Sequence, residues 1–73
     1  MYVDTFKSMI PADAFLTFYI HDGYGNFHEV ASSYAADWSA FDHCEIRDWW
    51  QLTTSKIVEY GVVIEDTNPP FGN

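Results

Sequence analysis

The amino-acid sequence predicts an α+β fold, a small three-stranded antiparallel sheet that carries one or two short helices on one face. Two segments rich in β-branched and aromatic residues, at 14–20 and 27–32, flank a glycine-containing turn. Aromatic residues then recur at helical spacing between 33 and 53. A third alternating segment begins at Lys56. Each of these elements has one apolar face to bury, so helices layered on a sheet are expected.

The first residues predict a short helix. Tyr2, Phe6, Met9 and Ile10 stand at i, i+4, i+7 and i+8, which places them on one helix face. Pro11 should end this helix, because the residue before a proline disfavours the helical conformation.

Residues 14–32 predict a β-hairpin, since AFLTFYI and FHEVAS surround the turn DGYGN at 22–26. Glycine and asparagine in that turn tolerate the positive φ that hairpin connections need. His21 and His28 border the turn, and their imidazoles would share a sheet face if the loop had an even number of residues.

Two short helices account for residues 33–53 better than one long helix, which would place carboxylates and tryptophans on the same side. Ser33 can cap the first helix. In that helix Tyr34, Trp38 and Phe41 lie at i, i+4 and i+7, so their rings are expected in the core.

The second helix is predicted to begin at Asp42, which forms a box-like cap with Glu45. Its apolar stripe comprises Ile46, Trp49, Trp50 and Thr53. The hydroxyl groups at 53–55 compete for backbone hydrogen bonds and should end it. Neighbouring positions on a helix are about 100° apart, so either both tryptophans lie mainly in the core or one is exposed as an interface anchor.

The last strand is predicted from alternation after Lys56. Val58, Tyr60, Val62 and Ile64 alternate with Glu59, Gly61, Val63 and Glu65. Gly61 is interpreted as a bulge. An alternative is a short helix over 55–60 that Gly61 stops, followed by a strand at 62–65. The chain, 1–73, is expected to form a single domain, with a flexible tail at 67–73 that contains two prolines.

Charge is the most unusual property of the sequence. Eleven Asp and Glu stand against three Lys and Arg, which gives a formal net charge of -8. Phosphate backbones are bound by clustered cations, so we expect no direct binding to nucleic acid, and anionic membrane surfaces are disfavoured for the same reason. The acidity either serves solubility alone or steers the protein towards a cationic protein partner.

No motif indicates a reaction or a cofactor. His21, His28, His43 and Cys44 match no structural zinc spacing. A nucleophilic pair of Cys44 with His21 or His28 has no identifiable oxyanion hole. We therefore expect no catalytic residue, no metal and no cofactor. Because Cys44 is the only cysteine and no signal or membrane anchor is apparent, the cytoplasm is the expected compartment.

The predicted binding surface combines carboxylates with aromatic anchors. Asp42, Glu45 and Asp48 stand three residues apart and would line one flank of the second helix, beside its tryptophans. The predicted partner-binding residues are Asp37, Asp42, Glu45, Asp48, Trp49 and Trp50. A basic protein or ribonucleoprotein complex would be the partner, because a row of carboxylates complements a groove lined by arginine and lysine.

A very short, acidic, aromatic-rich single domain of this kind resembles the small phage-encoded anti-defence proteins, anti-CRISPR inhibitors in particular. The resemblance is one of class and assigns no role to any single residue. It implies a nucleic acid mimic in the host cytosol that occludes the basic groove of a nucleic-acid-handling complex. Two alternatives stay open: an immunity protein or antitoxin that neutralises a cationic toxin, and a small self-assembling structural module such as a homodimer.

Overall fold

Two hairpins form one mixed sheet in the computed structural model, which describes residues 1–52 and 57–65. The elements are α1 (Val3–Lys7), β1 (Phe15–His21), β2 (Phe27–Tyr34), β3 (Ile46–Leu52) and β4 (Glu59–Ile64). The strands lie in the order β2-β1-β4-β3. β1 runs parallel to β4, whereas β1–β2 and β3–β4 are antiparallel. The two hairpins are therefore joined side by side through β1 and β4.

The predicted fold is confirmed in its coarse form, a small sheet with a short N-terminal helix. The sheet has four strands rather than three, and it is mixed rather than purely antiparallel. The two helices predicted within 33–53 are wrong as far as residue 52, while Thr53 and the predicted helix end at 53–55 lie outside the described residues. Residues 35–37 and 40–43 form turns, and the segment that follows is β3. Among the backbone hydrogen bonds of these turns is Asp37 N–H to Tyr34 O at 3.0 Å.

A β-bulge explains why β3 has the sequence pattern of a helix. The pairing of β3 with β4 shifts between Ile46 and Asp48, which leaves Arg47 as an extra residue. Ile46 pairs with Ile64, and Trp49 pairs with Val62, so both face the same side of the sheet. The bulge therefore gives a spacing of three residues on one face, which imitates a helical stripe.

The first hairpin is confirmed, with a five-residue connection at 22–26 between β1 and β2. His21 pairs with Phe27, whereas His28 pairs with Ile20. The loop has an odd number of residues, so the two imidazoles lie on opposite faces of the sheet. Gly23 and Gly25 adopt positive φ values of 86° and 94°, the conformation for which glycine is suited.

The hydrophobic core lies on one face of the sheet. Residues of α1 and of the turns after β2 pack against this face and contribute to the core. Its buried residues are Val3, Phe6, Leu16, Phe18, Ala35, Phe41, Val62 and Ile64. The ring of Phe18 contacts those of Phe41 and Trp38, with centroids 5.2 and 5.9 Å apart. Even-numbered residues of β1 and β4 supply this core, as the alternation within each strand predicts.

The N-terminal helix is shorter than predicted, since the predicted apolar face extended to Met9 and Ile10. Phe6 is buried at 2% exposure, but Met9 lies beyond α1 and is 62% exposed. The main chain fixes α1 to the segment before β3, because Val3 N–H donates to Cys44 O at 3.0 Å. An isolated bridge between Tyr2 and Glu45 extends this attachment.

The predicted alternation in β4 is confirmed. The alternative helix is wrong at Glu59 and Tyr60, which belong to the strand, while positions 55 and 56 and the predicted tail at 67–73 lie outside the described residues. Gly61 is not a bulge, since it pairs regularly with Thr17 on one side and Trp50 on the other.

Candidate functional site

The carboxylates predicted to line one helix flank lie at separate places in the structure. Asp37 is exposed in the turn after β2, and Asp42 and Glu45 lie in the segment that supports α1. Asp48 belongs to β3, where it pairs with Val63. The four residues therefore do not form one continuous row, and whether each binds a partner stays a prediction.

Two of these carboxylates form ion pairs that connect the N-terminal segment to the rest of the fold. Lys7 Nζ lies 2.8 Å from Asp42 Oδ1, and the same ammonium donates to the backbone carbonyl of Trp38. The N-terminal ammonium of Met1 lies 3.1 Å from Glu45 Oε2. Because cations neutralise them locally, Asp42 and Glu45 are less available to an external cation than their sequence positions suggested.

The adjacent tryptophans lie on opposite faces of the sheet. Trp49 is on the core face, where its ring is 5.1 Å from that of Phe6 and 5.9 Å from that of Tyr60, yet 45% of the residue is exposed. Trp50 is on the other face and is partly exposed, with its ring centroid 5.4 Å from that of Tyr19. Adjacent residues of a strand point in opposite directions, so the two rings cannot belong to one stripe.

We call the sheet face opposite α1 the open face. In residues 1–52 and 57–65, no helix and no second sheet covers it. The register places on it the side chains of Phe15, Thr17, Tyr19, His21, Phe27, Glu29, Ser32, Tyr34, Asp48, Trp50, Leu52, Glu59, Gly61 and Val63. This face therefore combines aromatic and aliphatic side chains with polar and acidic ones, and it is the candidate binding surface.

Three rings on the open face form what we call the aromatic platform, Tyr19, Phe27 and Trp50. Trp50 is at its centre, 5.4 Å from Tyr19 and 6.3 Å from Phe27 between ring centroids. Phe27 is 50% exposed and also contacts the His21 ring at 5.3 Å. The platform therefore spans from the edge strand β3 to the edge strand β2.

The Trp50 indole occupies the space next to Gly61 where other residues would have a side chain. A Cβ atom at position 61 would overlap with Cε2 and Cζ2 of the indole. Beside it Val63 is only 2% exposed although it faces the uncovered side of the sheet. The absence of a side chain at Gly61 thus lets the indole lie against the strands instead of projecting from the edge.

Carboxylates stand on both sides of the platform. Glu29 pairs with Tyr19, Tyr19 with Val63, and Val63 with Asp48, so the four residues form one row across the sheet. Strands are about 4.8 Å apart, which separates the two carboxylate-bearing positions by about 14 Å at the backbone. Glu29 is exposed, and Asp48 Oδ1 accepts a hydrogen bond from Trp49 N–H at 2.9 Å.

Among the described residues, the side chains that the register places on the open face include carboxylates and no lysine or arginine. Arg47, the bulged residue of β3, lies with its Nε 3.2 Å from Glu65 Oε2. Arg47 is therefore engaged by a carboxylate outside the open face, while Glu29 and Asp48 are exposed carboxylates on it. The charge of this face therefore complements a basic surface rather than an acidic one.

The turn between β1 and β2 is held by Asp22. Its carboxylate lies 2.9 Å from His28 Nε2 and accepts backbone N–H groups from Tyr24 at 2.7 Å and Asn26 at 3.2 Å. The hydrogen bond with His28, followed by that from Tyr24, holds the pKa of Asp22 well below its ordinary range. This network positions the start of β2, and with it Phe27 of the platform.

The histidines and Cys44 were the residues weighed for metal binding or nucleophilic chemistry. Within the described ranges no group of three or more His, Cys, Asp and Glu side chains is placed to hold a metal ion. Burial raises the pKa of the Cys44 thiol, which disfavours the reactive thiolate. Also within these ranges, no helix has the length and apolar character that crossing a membrane requires.

Comparison with known proteins found no match, so function has to be inferred from the residues of the chain itself. No protein-family model, curated protein or solved structure matches this sequence or fold. Sequence reasoning identified Trp50 and Asp48 but missed Tyr19, Phe27 and Glu29. The signal was present in β1, whose seven residues FLTFYIH place apolar or aromatic groups on both sides of the strand.

Proposed function

We propose that the protein binds a basic protein surface and blocks it, as an inhibitor of a nucleic-acid-handling protein or complex. The observation that supports this proposal is the open face, where the aromatic platform lies between Glu29 and Asp48. Aromatic side chains anchor most protein interfaces, and charges around them select the partner. With a formal net charge of -8, the whole molecule would be steered towards a cationic surface.

A sheet that displays aromatic rings can also stack nucleic-acid bases. The charge of the open face distinguishes the two classes of ligand, nucleic acid and basic protein. A bound strand would bring phosphates close to Glu29 and Asp48, and binding phosphates requires lysine and arginine instead. The same carboxylates complement the cations with which another protein holds nucleic acid. Competition with DNA or RNA for such a groove is the action that the resemblance to anti-CRISPR inhibitors implies.

The charge of the open face also bears on the two alternative functions, self-assembly and neutralisation of a cationic toxin. A homodimer that paired two open faces would bring like charges together, which costs free energy, so self-assembly through this surface is disfavoured. An immunity protein or antitoxin would use the same face against a cationic toxin. Only the identity of the partner separates that function from inhibition of a nucleic-acid-handling protein.

The proposal can be tested by capturing partners from nuclease-treated bacterial lysate with the full chain at about 0.1 M and about 0.5 M salt. The screening length falls from about 10 Å to below 5 Å between these conditions, so a partner held by charge should be lost at the higher one. The Glu29→Lys/Asp48→Lys variant alters the open face. The Asp4→Lys/Asp37→Lys variant makes the same change in net charge on the side of α1.

We expect capture of a basic nucleic-acid-handling protein by the natural chain and by the Asp4→Lys/Asp37→Lys variant, but not by the open-face variant. Added oligonucleotide should displace the captured protein. Equal loss in both variants would mean that net charge alone drives binding. If the open-face variant still captured the partner and only the Asp4→Lys/Asp37→Lys variant lost it, the binding site would lie on the α1 side. That result would contradict the proposal.

A further inference from the structure

We propose that the aromatic platform and Glu29 together bind an arginine side chain of the basic partner. The guanidinium would stack on the rings of Trp50 and Tyr19, and its N–H groups would donate to the Glu29 carboxylate. This inference rests on the proposed function, because it names the chemical group that the open face recognises in a cationic partner.

The positions of the three side chains fit one guanidinium. Trp50 and Tyr19 have ring centroids 5.4 Å apart and an interplanar angle of 35°, and both side chains are partly exposed on the open face. Glu29 is opposite Tyr19 in the β1–β2 register, beside the β-bulge that leaves Val30 as an extra residue of β2. Side chains opposite each other in an antiparallel pair have Cβ atoms about 4.5–5.5 Å apart. A cation above Tyr19 is therefore within reach of the carboxylate.

Glu29 also differs from the other carboxylates considered for binding. Asp42 and Glu45 are paired with cations of the protein itself. Asp48 is engaged through Oδ1 by the amide of Trp49. Glu29 is exposed beside two rings of the platform, Tyr19 across the strand pair and Phe27 two residues earlier on the same face of β2. It is the carboxylate that is best placed to bind a cation stacked on those rings.

Arginine fits this arrangement better than lysine. Its guanidinium is planar, less strongly hydrated than an ammonium, and stacks on aromatic faces. Its fixed N–H groups also match the two oxygens of a carboxylate. A lysine ammonium would gain the charge attraction to Glu29 but not the stacking on Trp50 and Tyr19, so the platform adds selectivity as well as affinity.

The inference can be tested by titrating the full ¹⁵N-labelled chain with a seven-residue Gly/Ser peptide that has one central arginine. Matched peptides carry lysine or citrulline, the neutral isostere of arginine, at that position. The chain has three tryptophans, so three indole N–H signals can be assigned by single Trp→Phe substitutions. The signal of Trp50 reports the platform, while that of Trp49 reports the opposite face.

We expect the arginine peptide to shift the Trp50 indole and the Tyr19 and Glu29 amides, and to leave the Trp49 indole unchanged. Its affinity should exceed that of the lysine peptide by about threefold, the effect of one exposed cation–π contact, and the citrulline peptide should bind at least about tenfold more weakly. Glu29→Gln should weaken arginine binding about fivefold. Asp4→Asn, a change from carboxylate to amide at an exposed residue of α1 on the other side of the sheet, should not affect it.

Equal affinity for arginine and lysine, or shifts centred on Trp49, would overturn the inference. So would a response to a short oligonucleotide in place of the peptide, or peptide-independent self-association. Its failure is distinguishable from failure of the proposed function. A chain that captures a basic nucleic-acid-handling protein but shows no arginine preference at Trp50 would retain the function and lose only this site.

Discussion

Replacing Gly61 with alanine tests whether the Trp50 indole lies against the sheet. A Cβ atom there would overlap with the ring, so the indole must move away from β4. If the ring loses about 100 Å² of contact, the loss at about 25 cal/mol per Å² is about 2.5 kcal/mol. Alanine regains about 0.5–1 kcal/mol because it is less flexible than glycine in the unfolded chain. We therefore expect Gly61→Ala to lower the free energy of unfolding by about 1.5–2 kcal/mol, combining the same two estimates.

The Trp50→Ala background provides the matched control for this substitution. With the indole removed, the Cβ atom at position 61 meets no ring, and Gly61→Ala should be neutral or stabilising by up to about 1 kcal/mol. Urea unfolding of the natural chain, both single variants and the double variant would give the coupling free energy between the two positions. The same cost for Gly61→Ala in both backgrounds would refute the placement of Trp50 on Gly61, and with it the arrangement of the platform.

Three further substitutions test, by urea unfolding, the core packing, the attachment of α1 and the turn between β1 and β2. Trp38→Ala removes a ring packed against two core phenylalanines and should cost about 3 kcal/mol, whereas a change below about 1 kcal/mol would show that this ring is not part of the core. Lys7→Met leaves the carboxylate of Asp42 without its ammonium and should cost about 1–3 kcal/mol, and an unchanged stability would contradict the ion pair. Asp22→Asn should destabilise at pH 7, because the hydrogen bond with His28 lowers the carboxyl pKa in the folded state. That contribution is complete above the unfolded pKa of about 3.9 and declines as the pH falls below it, so the difference from the natural chain should shrink at pH 3, and a constant difference would rule out the assigned cause.

The parts of the fold that local sequence determines were predictable. The turn at 22–26 contains the glycines that adopt positive φ, so the first hairpin follows from neighbouring residues alone. The alternation in β4 is uninterrupted, and its even-numbered residues Val62 and Ile64 enter the core as expected. Both features depend on interactions within about twenty residues of sequence, where periodicity is informative.

The remainder depends on contacts between distant residues. β1 and β4 pair in parallel although more than thirty residues separate them in sequence, and no local pattern specifies which strands become neighbours. The bulge at Arg47 also changes the phase of β3, so that Ile46 and Trp49 share a face at helical spacing. A pattern search that assumes unbroken alternation must therefore assign this segment to a helix.

The candidate site was recognised in part for the same reason. Trp50 and Asp48 were identified by residue type, since tryptophan and carboxylates together are typical of interfaces with basic partners. Tyr19 and Glu29 were not, because their proximity to Trp50 requires the strand order β2-β1-β4-β3. Asp42 is separated from Asp48 because it lies in a turn before β3, and there it contacts Lys7, a residue 35 positions away in sequence.

Hydroxyl-radical footprinting of the protein, alone and bound to its captured partner, tests the central claim most directly. The method oxidises exposed aromatic and sulfur-containing side chains, and both faces of the sheet carry such groups. Phe27 and Tyr34 are 50% and 41% exposed on the open face, while Met9 and Tyr2 are 62% and 52% exposed on the side of α1. We predict that the partner protects Phe27, Tyr34 and Trp50 and leaves oxidation of Met9 and Tyr2 unchanged. Protection of Met9 and Tyr2 with continued oxidation of Phe27 would contradict the assignment of the open face as the binding surface.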